Sequence, residues 1–258
     1  MQPLDRFPRE RRGKIRFVLT DVDDTLTEGP RLAAATFTAI ERLDNAGIAV
    51  IPVTAAPSGW CDLICRMWPI AAVIGENGGL CLRRDRQSGA TERQYWLPEA
   101  ELEPSQAELT ALGAEIIAAV PDAELAHDQR YRETTLAFIN PPDAVRREAI
   151  LRLLRQAGAQ ATVNSLWVLG WHGGFDKLAM TRRMLAELFA TDVDSAAEAF
   201  IYVGDSLNDE PMFGFFPNSI GVATVRNYLD RLASPPKWVT RGGGGPGFVE
   251  VADLLLGG

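Results

Sequence analysis

Two acidic clusters lie far apart in the chain, Asp21-Val22-Asp23-Asp24-Thr25 and Gly204-Asp205-Ser206-Leu207-Asn208-Asp209. Carboxylates that converge repel one another, so bringing them together makes physical sense when a divalent cation sits among them, and hard oxygen donors suit Mg²⁺. Asp21 beside such an ion can attack phosphorus, because the metal screens the charge of the incoming phosphate. Asp23, two residues on, falls on the same face of an extended segment and suits a proton donor to a leaving alkoxide, then a base toward water. Two neighbouring carboxylates, one of them on a metal, separate in proton affinity, which leaves Asp21 charged and Asp23 able to donate. Asp205 is expected to complete the metal shell, with Asp209 and Asn208 holding metal-bound water or orienting the ligands. Thr54 offers a hydroxyl and a backbone N–H to phosphate oxygens, and Lys177 a compact positive charge, which is the stabilisation that phosphoryl transfer needs.

The elements around these residues place them together. Each acidic cluster directly follows an apolar run that reads as a buried strand, Ile15-Arg16-Phe17-Val18-Leu19-Thr20 and Ala199-Phe200-Ile201-Tyr202-Val203. In an open parallel sheet, ligands bind at the carboxyl ends of the strands. Positions 33–45 have helical spacing, Gly47 stops them, and 48–53 reads as a second buried strand ending at Thr54. A helix over 58–67 leads to a third strand, 71–74, which ends in Gly75-Glu76-Asn77-Gly78-Gly79.

From about 80 the pattern changes to a hairpin (80–84 and 92–97), a helix over 105–120, a strand over 133–140, a helix opened by Pro141-Pro142-Asp143, and one bent or two short strands over 161–170. That alternation predicts a separate α+β unit. The parallel pattern returns at Phe175-Asp176-Lys177, where a helix runs to about 189, and continues with strands over 199–203 and 219–223. Helices are expected near Glu210 and Arg226, with 237–240 and 248–256 completing the sheet. The organisation read from the chain is a loose tail over 1–14, a core over 15–80 and 172–258, and an inserted cap over 81–171.

At 258 residues, 47% hydrophobic and 23% charged, the chain can bury a full core and is not disordered. A formal net charge of −8 argues against a nucleic-acid partner, while a metal and one or two cations suffice to hold a small phosphate. Three cysteines, Cys61, Cys65 and Cys81, form no paired framework, and no further Cys or His pair completes a zinc site around Cys61 and Cys65. The first residues lack the apolar stretch of a signal peptide and no run reaches membrane-spanning length, so the expected location is the cytoplasm, with no membrane partner. No feature specifies an oligomeric state.

Taken together, Asp21-Val22-Asp23-Asp24-Thr25, Thr54, Lys177 and Gly204-Asp205-Ser206-Leu207-Asn208-Asp209 resemble the four ordered motifs of the haloacid dehalogenase (HAD) superfamily. The resemblance covers roughly 15–80 and 172–258. It implies an α/β fold, a Rossmann-like parallel sheet with helices on both faces plus an inserted α+β type-two cap. It further implies an aspartyl-phosphate on Asp21, acid and base work by Asp23, phosphate contacts from Thr54 and Lys177, and Mg²⁺ held by Asp21, the Asp23 carbonyl and Asp205, with Asp209 in support. An aspartate at both positions of the first motif points to phosphatases, because the true dehalogenases lack the second acid.

Thr54 and Lys177 lie 123 residues apart, against about thirty between Asp23 and Thr54, which places the cap after the second motif. Together with Gly75-Glu76-Asn77-Gly78-Gly79 and the Asp176-Lys177 pair, this is similar to the IIB branch, which includes sucrose-phosphate, trehalose-phosphate and mannosylphosphoglycerate phosphatases. The implied function is Mg²⁺-dependent hydrolysis of a small phosphorylated metabolite such as a sugar phosphate. Three alternatives stand beside it. A phosphomutase would return the group to a sugar hydroxyl, but mutases of this superfamily generally carry a smaller cap after the first motif. A receiver-like phospho-acceptor would lack an acid two residues after the acceptor, and a non-catalytic sugar-phosphate sensor would not need every catalytic position filled.

Several residues carry two readings each. Asn77 supplies either a positive-φ turn or a substrate contact. Trp167, Trp171 and His172, where the insertion rejoins the core, either pack or line a sugar site, and Arg130 and Arg132 are either solvated or bind a second anionic group. Glu76 is weaker still as a ligand, and Gly242-Gly243-Gly244-Gly245 reads as a loop rather than a phosphate cradle.

Overall fold

The computed structural model describes residues 1–85 and 87–257. Its central sheet is wholly parallel, in the order Gln2–Pro3, Trp238–Val239, Ser219–Gly221, Phe200–Gly204, Phe17–Thr20, Ala49–Pro52. Successive strand residues alternate between its faces. Val18, Val50, Ile201 and Val203 pack toward the helices Ala34–Asn45, Ser58–Met67 and Gly244–Leu256, whereas Leu19, Ile51, Phe200 and Tyr202 pack toward Lys177–Phe189 and Glu210–Phe215. With both faces covered, the central strands Phe17–Thr20, Ala49–Pro52 and Phe200–Gly204 are largely apolar, and each buried Val, Leu or Ile contributes about 1.5–3 kcal/mol. No helix among the described residues is long and apolar enough to cross a membrane.

Three expectations are corrected. The first fourteen residues are not a loose tail: Gln2–Pro3 is an edge strand on Trp238–Val239, and Leu4 and Phe7 are buried, the Phe7 ring lying 4.8 Å from that of Trp238. Isolated apolar residues among Arg and Pro have no periodicity to read, and their partner strand lies more than 200 positions away. Residues 248–256 do not complete the sheet. They lie in the helix Gly244–Leu256, which packs on Ala34–Asn45 and begins inside the glycine run.

The insertion also starts later than 81. Val73–Gly75 joins the core sheet through a parallel bridge from Val53 to Ile74, then pairs antiparallel with Leu80–Arg84, which pairs with Thr91–Tyr95. This hairpin therefore extends the core, and the cap follows it. The cap comprises the helices Glu99–Ala119 and Ala144–Gln156 on one face of an antiparallel sheet ordered Gln160–Val163, Trp167–Trp171, Leu136–Ile139. The opposite face of that sheet presents Ala137, Trp167, Leu169 and Trp171 to Ala55 and Phe175 of the core.

One buried carboxylate ties cap to core. Glu76, with φ +50 and no solvent exposure, accepts the N–H groups of Ser58 and Glu133 on one oxygen (2.9 Å each). On the other oxygen it accepts the Thr134 N–H and the hydroxyls of Thr134 and Thr135 (2.8, 2.9 and 2.8 Å). Arg132 adds a second tie, donating to the Ala55 carbonyl at 2.9 Å while Asp128 holds its guanidinium at 3.2 Å.

Two stability tests follow. Phe7→Ala is expected to lower the unfolding free energy by about 3 kcal/mol in chemical denaturation, whereas a loose tail would leave the midpoint unmoved. Glu76→Ala strands its buried donors and is expected to cost about 3–5 kcal/mol, with Glu76→Gln losing less because its amide oxygen still accepts.

Candidate active site

The site sits where the carboxyl ends of Phe17–Thr20, Ala49–Pro52 and Phe200–Gly204 meet the start of Lys177–Phe189. Asp21 leaves the first strand with its N–H bonded to the Val203 carbonyl at 2.9 Å, so the two acidic clusters are stitched together by backbone before any side chain acts. The chain then turns, with Asp24 at φ +58 and the Val22 carbonyl accepting from Leu26 at 2.8 Å.

Lys177 is the first residue of its helix, whose N-terminus Asp176 caps by accepting from Ala179 at 2.7 Å. Its side chain is only 1% exposed and donates to Asp21 Oδ1 at 2.8 Å and Asp209 Oδ1 at 2.7 Å. Burial opposes the ammonium charge, but Asp209 and Asp21 outweigh it and hold the pKa above that of ordinary lysine.

Asp209 is saturated. Oδ1 takes Lys177 and the Tyr202 hydroxyl (2.5 Å), and Oδ2 takes the N–H groups of Asp205 and Ser206 (2.9 and 3.0 Å). Those bonds use about four lone-pair directions, the full capacity of a carboxylate. The turn depends on Gly204, since a Cβ there would lie 2.5 Å from Asp209 Oδ2. Asp205, by contrast, accepts from the Thr25 hydroxyl at 3.1 Å, its one side-chain partner among the described residues.

Carboxylate oxygens of Asp21, Asp205 and Asp209 lie within 4.8 Å of one another, all buried. With Lys177 as the single cation bonded to them among the described residues, the cluster carries excess negative charge, and a small divalent cation with a taste for carboxylates fits it. Asp21 and Asp205 have oxygens free to ligate, while Asp209 is already committed to Lys177, Tyr202 and two backbone N–H groups. Asp23 stands outside the cluster by its side chain, which has no hydrogen-bond partner among the described residues. Its charge is nonetheless felt at Asp21.

Burial pushes the Asp21 carboxyl up to about 7 against the pull of Lys177, and Asp209 and Asp23 add to the rise. Burial and then Asp24 raise Asp23 to about 6, while Lys177 and Arg132 pull it down. Asp205 is raised well above the ordinary aspartate range by burial and by Asp209 and Asp21. Asp21 and Asp205, two clustered carboxyls that resist ionisation, with Asp23 raised beside them, describe a site suited to added positive charge.

Thr54 is fully buried, its Oγ1 accepting the Ala56 N–H at 3.0 Å, which leaves the hydroxyl proton to donate. Its backbone N–H, expected to serve phosphate, is instead bonded to the Ile74 carbonyl at 2.9 Å, because the core sheet continues through this point. Asn77, at φ +59, takes the positive-φ turn, donates its N–H to the Thr54 carbonyl at 2.9 Å and accepts from Asn208 Nδ2 at 3.4 Å. Trp167 and Trp171 are packed, Trp171 against Phe175 and Trp167 under the Arg132 guanidinium. Arg132 is buried in internal bonds, and Arg130 lies exposed over Tyr131. Tyr202 escaped the sequence reading because a tyrosine in an apolar strand carries no mark of its buried hydroxyl. Glu76 was underrated because its donors come from positions 58 and 133–135.

No family model matches the chain. Over 238 residues it is 28% identical to a phosphoglycolate phosphatase of Methanoculleus marisnigri, covering 92% of this chain and 94% of that one. Among solved structures, protein 0175 of Thermoplasma acidophilum matches with a TM-score of 0.72 at 19% identity, covering 94% of this chain and 98% of that one. The sucrose-phosphatase of Synechocystis matches at 0.64 and 12% identity (93% and 97% covered), and a HAD-superfamily phosphatase of Bacteroides thetaiotaomicron at 0.63 and 17% (97% and 96%). A parallel central sheet flanked by helices, matched by these structures over almost the whole of the chain, is the haloacid dehalogenase fold, and this chain has it.

Proposed function

We propose that the protein is a Mg²⁺-dependent phosphatase that hydrolyses a small phosphomonoester, a sugar phosphate or related metabolite, through a phosphorylated Asp21. The observation that carries the reading is Lys177 held between Asp21 and Asp209 beside Asp205, four charged groups from three distant stretches of chain sharing one buried hollow. The resemblance of the relatives, themselves phosphatases by name, supports it.

Asp21 uses the carboxylate oxygen not bonded to Lys177 to attack phosphorus in line with the leaving oxygen. Thr54 and Lys177 hold the equatorial phosphate oxygens, where charge accumulates. As the ester P–O bond breaks, Asp23 gives its proton to the departing alkoxide. The resulting carboxylate then takes a proton from water, which attacks the phosphorus of the acyl phosphate and restores Asp21. A pKa near 6 suits Asp23 to both jobs around neutral pH. Asp21 and Asp205, with the Asp23 carbonyl, would hold Mg²⁺, which when bound would supply the positive charge that lets a phosphate dianion approach a carboxylate. Asp209 works from behind, fixing Lys177 and the backbone of Asp205. Between Asp23 and Thr54 lie a small hairpin, Thr27–Glu28 with Arg31–Leu32, and one helix, which leaves no cap of the kind mutases carry.

The reading is tested with a phosphomonoester panel in Mg²⁺. Asp21→Asn is expected to lower kcat by at least about a thousandfold on every substrate. Asp23→Asn is expected to lower it by about 10²–10⁴-fold on alkyl phosphates and much less on aryl phosphates, whose leaving groups need no proton. An unmodified protein inert across the panel would sink the proposal.

Metal binding has its own readout. Asp21 and Asp23 titrate near 7 and 6 in the folded protein against an ordinary aspartate value of 3.8. Between those values the folded state holds protons that the unfolded chain has released, so metal-free stability falls as pH rises from about 4 to 7. Mg²⁺ competes with those protons. It is expected to raise Tm by about 5–10 °C at pH 8 and a hundredfold excess over its Kd, and by distinctly less at pH 5.5, as read by thermal unfolding.

A further inference from the structure

A cavity of about 370 Å³ runs from Lys177 and Asn77 out between the cap residues Thr162 and Trp171 and the core segment after Gly204. That is the room of about a dozen waters, close to the heavy-atom count of a hexose. Its charge pattern is distinctive. Lys177 is the one cation among its described lining residues, and Lys177 is already bonded to Asp21 and Asp209.

Two carboxylates, Asp176 and Glu210, face the same space. Each uses one oxygen on a backbone N–H, of Ala179 at 2.7 Å and of Ser234 at 2.7 Å, and the second oxygen of each has no partner among the described residues. Asn77, Asn208, Thr162 and Ser234 supply the remaining polar lining. Asn77 Nδ2 is buried without a partner beside Thr54. In the cap, Arg132 is spent on Asp128, Thr135 and the Ala55 carbonyl and lines a separate hollow.

We propose that this cavity receives the leaving group, and that Asp176 and Glu210 select an uncharged, hydroxyl-bearing leaving group over one that carries a carboxylate. The assignment rests on the phosphatase reading above and narrows it. Hydroxyls donate to the two open carboxylate oxygens and accept from the Asn77 amide, so a polyol satisfies the wall. A carboxylate on the leaving group has no free cation to meet and two like charges to face, in a site partly screened from solvent where such repulsion is felt. 2-Phosphoglycolate carries such a carboxylate.

The test uses pairs matched in size and differing in that charge, assayed with Mg²⁺: glucose 6-phosphate against 6-phosphogluconate, and 2-hydroxyethyl phosphate against 2-phosphoglycolate. The uncharged member of each pair is expected to have a kcat/KM higher by about tenfold or more. In the Asp176→Asn/Glu210→Gln double variant, which keeps the helix cap and the acceptor to Ser234, the gap within each pair is expected to narrow by about tenfold, with retained folding read by circular dichroism. Calorimetric binding to Asp21→Asn should rank the pairs in the same order. Equal or better use of the carboxylates by the unmodified protein, or a gap that the double variant leaves unmoved, overturns the inference. Failure to hydrolyse 4-nitrophenyl phosphate at all strikes the phosphatase reading itself, and the inference falls with it.

Discussion

The ion pair that Lys177 makes with Asp21 and Asp209 is the constraint around which the molecule is arranged. An ammonium with 1% exposure is tolerated only if charged oxygens replace its lost water, and two do so at 2.8 and 2.7 Å. The first turn of a helix is a poor place for a cation, because the helix dipole is positive there. Lys177 occupies it because the carboxylates in front of it outweigh the dipole behind it. Those carboxylates are delivered by strands 17–20 and 200–204, neighbours in the sheet although about 180 residues apart, and their backbones are bonded before the side chains meet.

Asp209 shows how one side chain organises the others. It holds Lys177 and Tyr202 with one oxygen and the backbone of Asp205 and Ser206 with the other, so the same group sets the cation and the loop that presents Asp205. Asp205 and Asp21 are left under-neutralised by this arrangement. That imbalance is what a bound divalent ion would relieve, and it explains why burial raises the pKa of each of these acids.

The cap is joined to the core at the segment that carries Thr54. Arg132 bonds the carbonyl of Ala55, and Glu76 links Ser58 to Glu133, Thr134 and Thr135. The cap sheet presents its apolar face, with Trp167 and Trp171, to that same region beside Thr54. The opening that remains is lined by Lys177, Thr162 and the loop after Gly204, with Asp176 and Glu210 facing it.

Much of this was legible in the chain. Apolar runs ending in Asp or Thr identify buried parallel strands and the end at which ligands bind, because strands covered on both faces have no polar alternation to hide them. The placement of Asp21, Thr54, Lys177 and Asp205 at the ends of elements that meet was readable for the same reason, since residue type and position at an element's end are both local. What the chain could not reveal were interactions whose partners are chosen by folding. Phe7 finds Trp238, Glu76 gathers donors from both domains, the hairpin 80–95 joins the core rather than the cap, and the Thr54 N–H goes to Ile74 instead of a ligand. Local sequence determines which backbone pattern a segment prefers and which groups it carries. Only the assembled tertiary structure decides which buried polar group meets which, because the desolvation that makes such a group seek a partner arises when distant segments close over it.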